Sequence, residues 1–529
     1  MKLRIQRKIS TLALCVSALF GCNDSALADT SSGETVQNTA ALSIEDLTTK
    51  QLHRFLNQAS FGPTPALMEN VDAFDLQTWL TEQFEAPVTS HEALYLELGN
   101  GLQSTREDAW LEIAALGDDQ LRQRVAFALS EVFVISRYSD IHDRPQSMTN
   151  YYDLLVYGAF GNFRDLIEKV SLHPSMGTFL TMINSKKENS ETGTQPDENY
   201  AREVMQLFTI GLYQLNNDGS IQTDSSGEPI EAYDQEDIRN VAKAFTGWVR
   251  DSSDSLYVKP MVAKDSNHDE SEKVVMGHVI PAGQTAEQDM SDVMDILFNH
   301  DNTPPFFAKH MIKRLITSNP SPEYIERVAN VFIDNGEGVR GDLRAVIEAI
   351  LLDKEALAQD ENNPPIKIKE PAIVVVNLFR ALDLQLTTGR VSNSDIPFYR
   401  VGQGPLRAKS VFNFYSQDHS PIGTDLYAPE LQVMTWPNFV SSFNYMRTFI
   451  AKWRTPTLPN YSYYKAAGDD MDEFIRRIGL VFFGGDIDPN LEAVLRTHIK
   501  SIGGKPKNEW AVEQLMEYII SAEDFYVQD

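Results

Sequence analysis

The chain has 529 residues, of which 42% are apolar and 23% charged, so it is long enough and apolar enough to bury a large core. Its 46 basic residues stand against 75 acidic ones, a formal net charge of −29. That balance excludes a general binder of nucleic-acid backbone, whose affinity rests on Lys and Arg.

The first twenty-two residues read as an export signal. Lys2, Arg4, Arg7 and Lys8 form a positive start. An apolar run from Ile9 to Phe20 follows, too short for the roughly 20 residues of a membrane span. It ends at Leu19-Phe20-Gly21-Cys22, which resembles the bacterial lipoprotein cleavage box. Residues 1–21 are therefore expected to be a signal peptide and Cys22 the lipidation site. The chain has two cysteines, and Cys15 falls inside the leader, so no disulfide framework or thiolate metal site is expected in the mature protein. Cleavage removes the four leader bases from the 46, leaving 42 against 75 and a charge of −33. Residues 22–43 are poor in large apolar side chains and read as a flexible tether. Asn23 follows Cys22 where an inner-membrane retention signal would place Asp, so an outer-membrane lipoprotein is expected.

The body is expected to be mainly α, a large multi-helix body with short β-hairpin insertions. Leu121, Val125, Leu129 and Val132 keep helical spacing; so do Leu343, Val346, Ile347, Ile350 and Leu351, and Val512, Leu515, Met516 and Ile519. Asp342 and Asn508 are expected to start the last two of these helices. Two segments break the pattern. Turn clusters at Asn216-Asn217-Asp218-Gly219 and Ser225-Ser226-Gly227 predict a hairpin; Gln214 and Ser225 stand where a calcium loop needs carboxylates. Tyr257-Val258 and Lys273 to Val279 are expected to pair around an acidic loop. Asn362-Asn363-Pro364-Pro365 separates an N-terminal helical lobe, 44–360, from a C-terminal one, 361–529.

Pro196-Asp197-Glu198-Asn199-Tyr200-Ala201-Arg202-Glu203 leads into one helix, and Tyr233-Asp234-Gln235-Glu236-Asp237-Ile238 opens another that closes on Phe245-Thr246-Gly247-Trp248. Asp197 and Asp234 are in capping positions. Tyr200, Val204, Leu207 and Phe208 share a face, while Glu198–Arg202 and Asn199–Glu203 are i, i+4 pairs. One reading is a structural polar network. The other has Arg202 orienting Glu203 as a poised catalytic carboxylate, with Asn199, Tyr200, Trp248 and His173 as binding residues. Trp248 also reads as core, and His173 as a helix cap or terminator. His268 and Asp269 lie among Asp265, Asn267, Glu270 and Glu272, a loop that suits a divalent metal or is simply a solvated acidic turn. His300 and His310 are separated by Pro304-Pro305 and cannot be placed on one face. No nucleophile elbow, phosphate loop, dinucleotide fingerprint or haem-attachment motif occurs.

The two signature segments resemble the bacterial family termed domain of unknown function 1800. Ala59-Ser60-Phe61-Gly62-Pro63-Thr64, His173-Pro174-Ser175-Met176, His268-Asp269 with Lys273 and Gly277, and Val411-Phe412-Asn413-Phe414-Tyr415 with Ala428-Pro429-Glu430 extend the resemblance from about Ile44 onward. Where many members carry a Trp-His-Asn-His type segment, this chain has Ala128-Leu129-Ser130-Glu131-Val132-Phe133, which puts any metal role of those histidines in doubt here. The resemblance implies export or envelope association and no established activity. It also implies a secreted partner from a second family, similar to sulfatases and alkaline phosphatases, whose genes often neighbour those of this one. Two functions follow as expectations. The chain is a binding or accessory protein for such a partner, or it is an extracytoplasmic, metal-assisted hydrolase using Glu203, Arg202 and the His268-Asp269 loop.

Overall fold

The computed structural model describes residues 47–99, 101–358, 367–386, 389–390, 398–452 and 457–528. The leader, Cys22, the tether and the Asn362–Pro365 interruption lie outside them. Among the described residues the chain is mainly helical, and its strands occur only as two-stranded ribbons. No helix among the described residues is long and apolar enough to cross a membrane.

Local signals explain most helix starts. Thr48 and Gln51 form a capping box at the head of helix Thr49–Ala59, and Asp234 and Asp237 do the same for Gln235–Ala244. Asp342 caps Leu343–Leu352 as expected, accepting from Arg344 N and Ala345 N. Asn508 precedes helix Glu509–Ile519, but its carboxamide turns back to accept from Lys505 N at 3.1 Å instead of capping.

The apolar faces of these helices merge into one core running from Leu52 to Tyr526. Phe61, Trp110, Phe127 and Phe398 pack edge to face or tilted at its centre, with ring separations of 5.4–6.1 Å. The first described helix meets the C-terminal elements. Helix Thr49–Ala59 packs on Met471–Phe483, and strand Lys367–Ile368 pairs antiparallel with Val527–Gln528.

The expected hairpin near residue 220 is a small three-sided loop in which three short segments bridge one another: Tyr213 to Glu231, Leu215 to Ile221 and Thr223 to Pro229. The pairing expected between Tyr257-Val258 and Lys273–Val279 does not form. Trp248–Val249 pairs with Val262–Ala263, and Lys273–Val275 folds back on His278–Ile280. The cause is local. Met276 and Gly277 both have positive φ, 46° and 81°, the two-residue turn that matches strand twist and closes the second segment on itself.

Candidate functional site

The two signature helices lie side by side. Helix Asn199–Glu203 runs directly into a π-helical turn, Val204–Thr209, an irregularity that concentrates at functional sites. Tyr200, Val204 and Phe208 are buried as the spacing predicts. The Tyr200 hydroxyl meets Ser171 Oγ, and its ring lies 5.6 Å from Phe245. Asn199 is exposed; its amide N–H donates to Asp197 Oδ1 at 2.9 Å and its Nδ2 to Thr181 Oγ1 at 3.4 Å.

Arg202 and Glu203 part company. The Arg202 guanidinium reaches Glu198 Oε2 at 3.2 Å and Gln235 Oε1 at 3.4 Å, bridging the signature helices at the surface. The Glu203 carboxyl turns inward. It is 6% exposed, its Oε2 has no protein hydrogen bond, and burial raises its pKa against the opposing pull of Arg202. Its titratable neighbour is Tyr233, whose hydroxyl is also buried without a partner and is pushed up to about 12 by burial, with Arg202 and Glu203 in electrostatic reach. Tyr233 escaped the sequence reading as a site residue; its place directly before the cap Asp234 was the available signal.

His173 and Trp248 are structural anchors. His173 is both the last cap of helix Phe163–Leu172 and the first of Pro174–Phe179. Its Nδ1 accepts from Ser175 N at 3.1 Å, Nε2 faces Asn150 Oδ1 at 3.1 Å, and burial pulls its pKa down to about 3. Trp248 is buried, and its carbonyl accepts from Asn184 N at 2.8 Å.

His268 and Asp269 face different ways. The His268 ring is buried, with Nδ1 2.9 Å from the Thr246 carbonyl and Nε2 3.3 Å from Asp289 Oδ2. Lys273 Nζ sits 2.7 Å from the same oxygen and donates to the carbonyls of Asp269 and Ser271. Burial opposes charge on His268, but Asp289 and the Thr246 carbonyl outweigh it and raise the pKa. Asp269 instead receives Ser271 N at 2.9 Å. Gly247 makes this packing possible: its φ is +96°, and a Cβ there would stand 3.0 Å from His268 Cβ. Among the described residues no group of three or more His, Cys, Asp or Glu side chains is arranged to hold a metal ion.

A cleft of about 470 Å³ opens beside the second signature helix, lined by Gln214, Asp237, Met276, His278, Asp295 and His300 among others. Asp237 ties its walls together, accepting from Met276 N at 2.6 Å and from Asp234 N at 3.0 Å. His300 Nδ1 accepts from Asn302 N at 3.0 Å, and burial lowers its pKa. A second cleft, of about 340 Å³, lies between the first helix and the C-terminal end, with Lys50, His53, Asp486 and Asp524 in its wall. Glu203, Arg202, His268 and Asp269 line neither.

The signature helices, the His268 loop and the Ala428–Glu430 turn thus all take part in one packed body. A model of the family described as protein of unknown function, DUF1800, matches residues 54–527. The chain belongs to that family. The match takes in both signature helices, the cleft and the buried polar groups around them. No curated protein and no solved structure matches the chain.

Proposed function

We propose that this member of the family is an exported lipoprotein of the outer membrane that works by binding a secreted partner. The leader and Cys22 support export and anchoring. The observation that carries the binding role is a division of labour around the 470 Å³ cleft. His173, His268 and Asp269 are tied up by neighbouring protein groups and Arg202 by Glu198 and Gln235, whereas apolar side chains beside the cleft face solvent. The three-sided loop that supplies Gln214 exposes Tyr213, Ile221 and Ile230, and the ribbon that supplies Met276 and His278 exposes Val274 and Val279, the latter at 61%. Solvent-facing apolar residues rimmed by polar ones mark protein interaction sites. The partner proposed is the sulfatase- or phosphatase-like neighbour that the family resemblance implies.

The test is direct titration of the purified full-length chain with that purified neighbour, for the wild type and for a Tyr213→Ser, Ile221→Ser, Val279→Lys triple variant. The expected result is saturable binding that weakens at least about tenfold in the variant, with an unchanged thermal midpoint. No wild-type binding, or equal binding by both proteins, overturns the reading.

One observation favours the hydrolase as a second reading. Glu203 pairs a raised pKa with the unpartnered Tyr233 hydroxyl at the edge of a π-turn, an environment that suits proton transfer. It predicts that Glu203→Gln abolishes a hydrolytic activity of the folded protein.

A further inference from the structure

Away from both clefts, three carboxyls face three cations in the buried interior. Glu131 ends helix Gln120–Ser130, and Glu370 stands at the head of helix Pro371–Ala381; they are 3% and 0% exposed. The Gln403 carboxamide touches both, with Nε2 3.0 Å from Glu131 Oε1 and donating also to Glu370 Oε2. One nitrogen thus brings two buried carboxyls together, and like charges so close in a site closed to solvent favour a single proton shared between them.

The facing groups come from every packed element. Arg314 Nη1 lies 2.8 Å from Glu131 Oε2, and its Nη2 donates to the Glu131 carbonyl at 2.7 Å. Arg124 Nη2 donates to the Arg314 carbonyl at 2.9 Å. Lys367 pairs with Glu430, which also accepts from Ser318 Oγ. The Tyr415 and Tyr152 hydroxyls complete the set.

Gln403 and Tyr415 belong to a strap, Gly402 to Ala428, that contains no helix or strand. Segments this long without secondary structure inside a compact body are uncommon and tend to be functional covers. The strap lies across earlier parts of the chain through scattered polar bonds: Arg106 Nη1 to the Pro405 carbonyl, Arg137 N to the Leu406 carbonyl, Lys313 Nζ to the Gln417 carbonyl, and a reciprocal pair between Asn319 and Tyr427. Beyond these anchors Phe412 and Ile422 stand in solvent. The near end of the strap is also held by Arg407 to Glu107 and by Ser136 to the Ala408 carbonyl, with Leu406 and Tyr415 buried, so the outer part around Phe412 and Ile422 is where local opening costs least.

We infer that the Glu131–Glu370 pair is a proton-dependent latch for this strap. With one proton shared, Gln403 clamps the strap to both carboxyls; when that proton leaves, like charges meet under Gln403 and the strap opens. The electrostatics agree in sign. Burial, then Glu370, pushes Glu131 up to about 8. Burial also works against charge on Glu370, but Lys367, the bond from Glu131, Arg124 and Arg314 hold its pKa low. Between the ordinary glutamate value of 4.5 and about 8 the closed pair keeps a proton that an open pair releases. The opening equilibrium therefore grows with pH, by up to about tenfold per pH unit.

Hydrogen–deuterium exchange on the full chain tests this, with strap peptides referenced to helix Gln235–Ala244 to remove the intrinsic pH effect. Between about pH 6 and about pH 9.5 the wild-type strap is expected to lose at least about tenfold in relative protection. In Glu131→Gln the side chain carries no charge at either pH, so the loss disappears. Glu370→Gln, which also removes the shared proton, is the second variant should the first not fold. Wild-type strap protection that does not change with pH overturns the latch, as does an equal loss in a folded variant.

Discussion

Glu203 and Glu131 are both buried carboxyls at the C-terminal end of a helix segment, and burial raises both. Their surroundings differ. Glu203 has an oxygen without a protein partner and a guanidinium next to it in sequence that points elsewhere. Glu131 is held by Arg314, Gln403 and Glu370 on elements from distant parts of the chain. The contrast separates two uses of a buried acid. A lone carboxyl is a local cost that the fold tolerates, while a bridged pair ties the fold together and couples it to pH.

The largest effect is expected where that bridge is cut. Arg314→Leu removes the cation from Glu131 and leaves a buried acid with its lone pairs unmatched, a loss of about 3–5 kcal/mol. Urea denaturation should show the midpoint collapse, and the same removal at Arg202, an exposed bridge from Glu198 to Gln235, should cost no more than about 1 kcal/mol. Equal costs at the two arginines would erase the distinction between the regions.

The two regions also differ in how far the sequence revealed them. The signature helices were legible because their determinants are local: Asp234 three residues before Asp237 makes a cap, and Tyr200, Val204 and Phe208 recur at helical spacing. The inward turn of Glu203 was not, because spacing sets it beside the apolar face without deciding whether its carboxyl turns in or out. The His268 loop was read as a metal loop or a solvated acidic turn because acids surround it; the buried partner Asp289 comes from the next helix, beyond the reach of spacing arguments. The charge centre was the least legible of all. Glu131 and Gln403 are 272 residues apart, and nothing in the apolar run Val125–Ile135 announces that its one acid will meet another.

A middle-sized effect tests whether the signature region is held by shape as firmly as the other is by charge. At Gly247 the backbone is left-handed and His268 stands where a side chain would go. Gly247→Ala therefore combines an unfavourable φ with a close contact and is expected to cost more than about 1 kcal/mol. The cost should appear in thermal unfolding together with faster exchange of the His268 loop. Gly336, where nothing lies within 4 Å, shares the φ penalty without the contact, and alanine there should cost less.

The smallest effect carries the sharpest sign. Glu203 has a folded pKa raised above its ordinary value of 4.5, so the native chain holds a proton that the unfolded chain releases over that interval. Its contribution is therefore most favourable below 4.5 and declines as pH rises through the raised value. Glu203→Gln removes the charge while keeping the shape. It should match the wild type in acid and equal or exceed it at neutral pH, by no more than about 1 kcal/mol. Denaturation at about pH 4 and about pH 7 measures both points. A variant markedly less stable at neutral pH would mean that the ionised carboxylate makes a bond the fold depends on, and Glu203 would then belong with Glu131 as part of the framework. A variant as stable as expected leaves its carboxyl available for a proton-transfer role, and only then does loss of a hydrolytic activity in Glu203→Gln speak for chemistry instead of for damage to the helix that carries it.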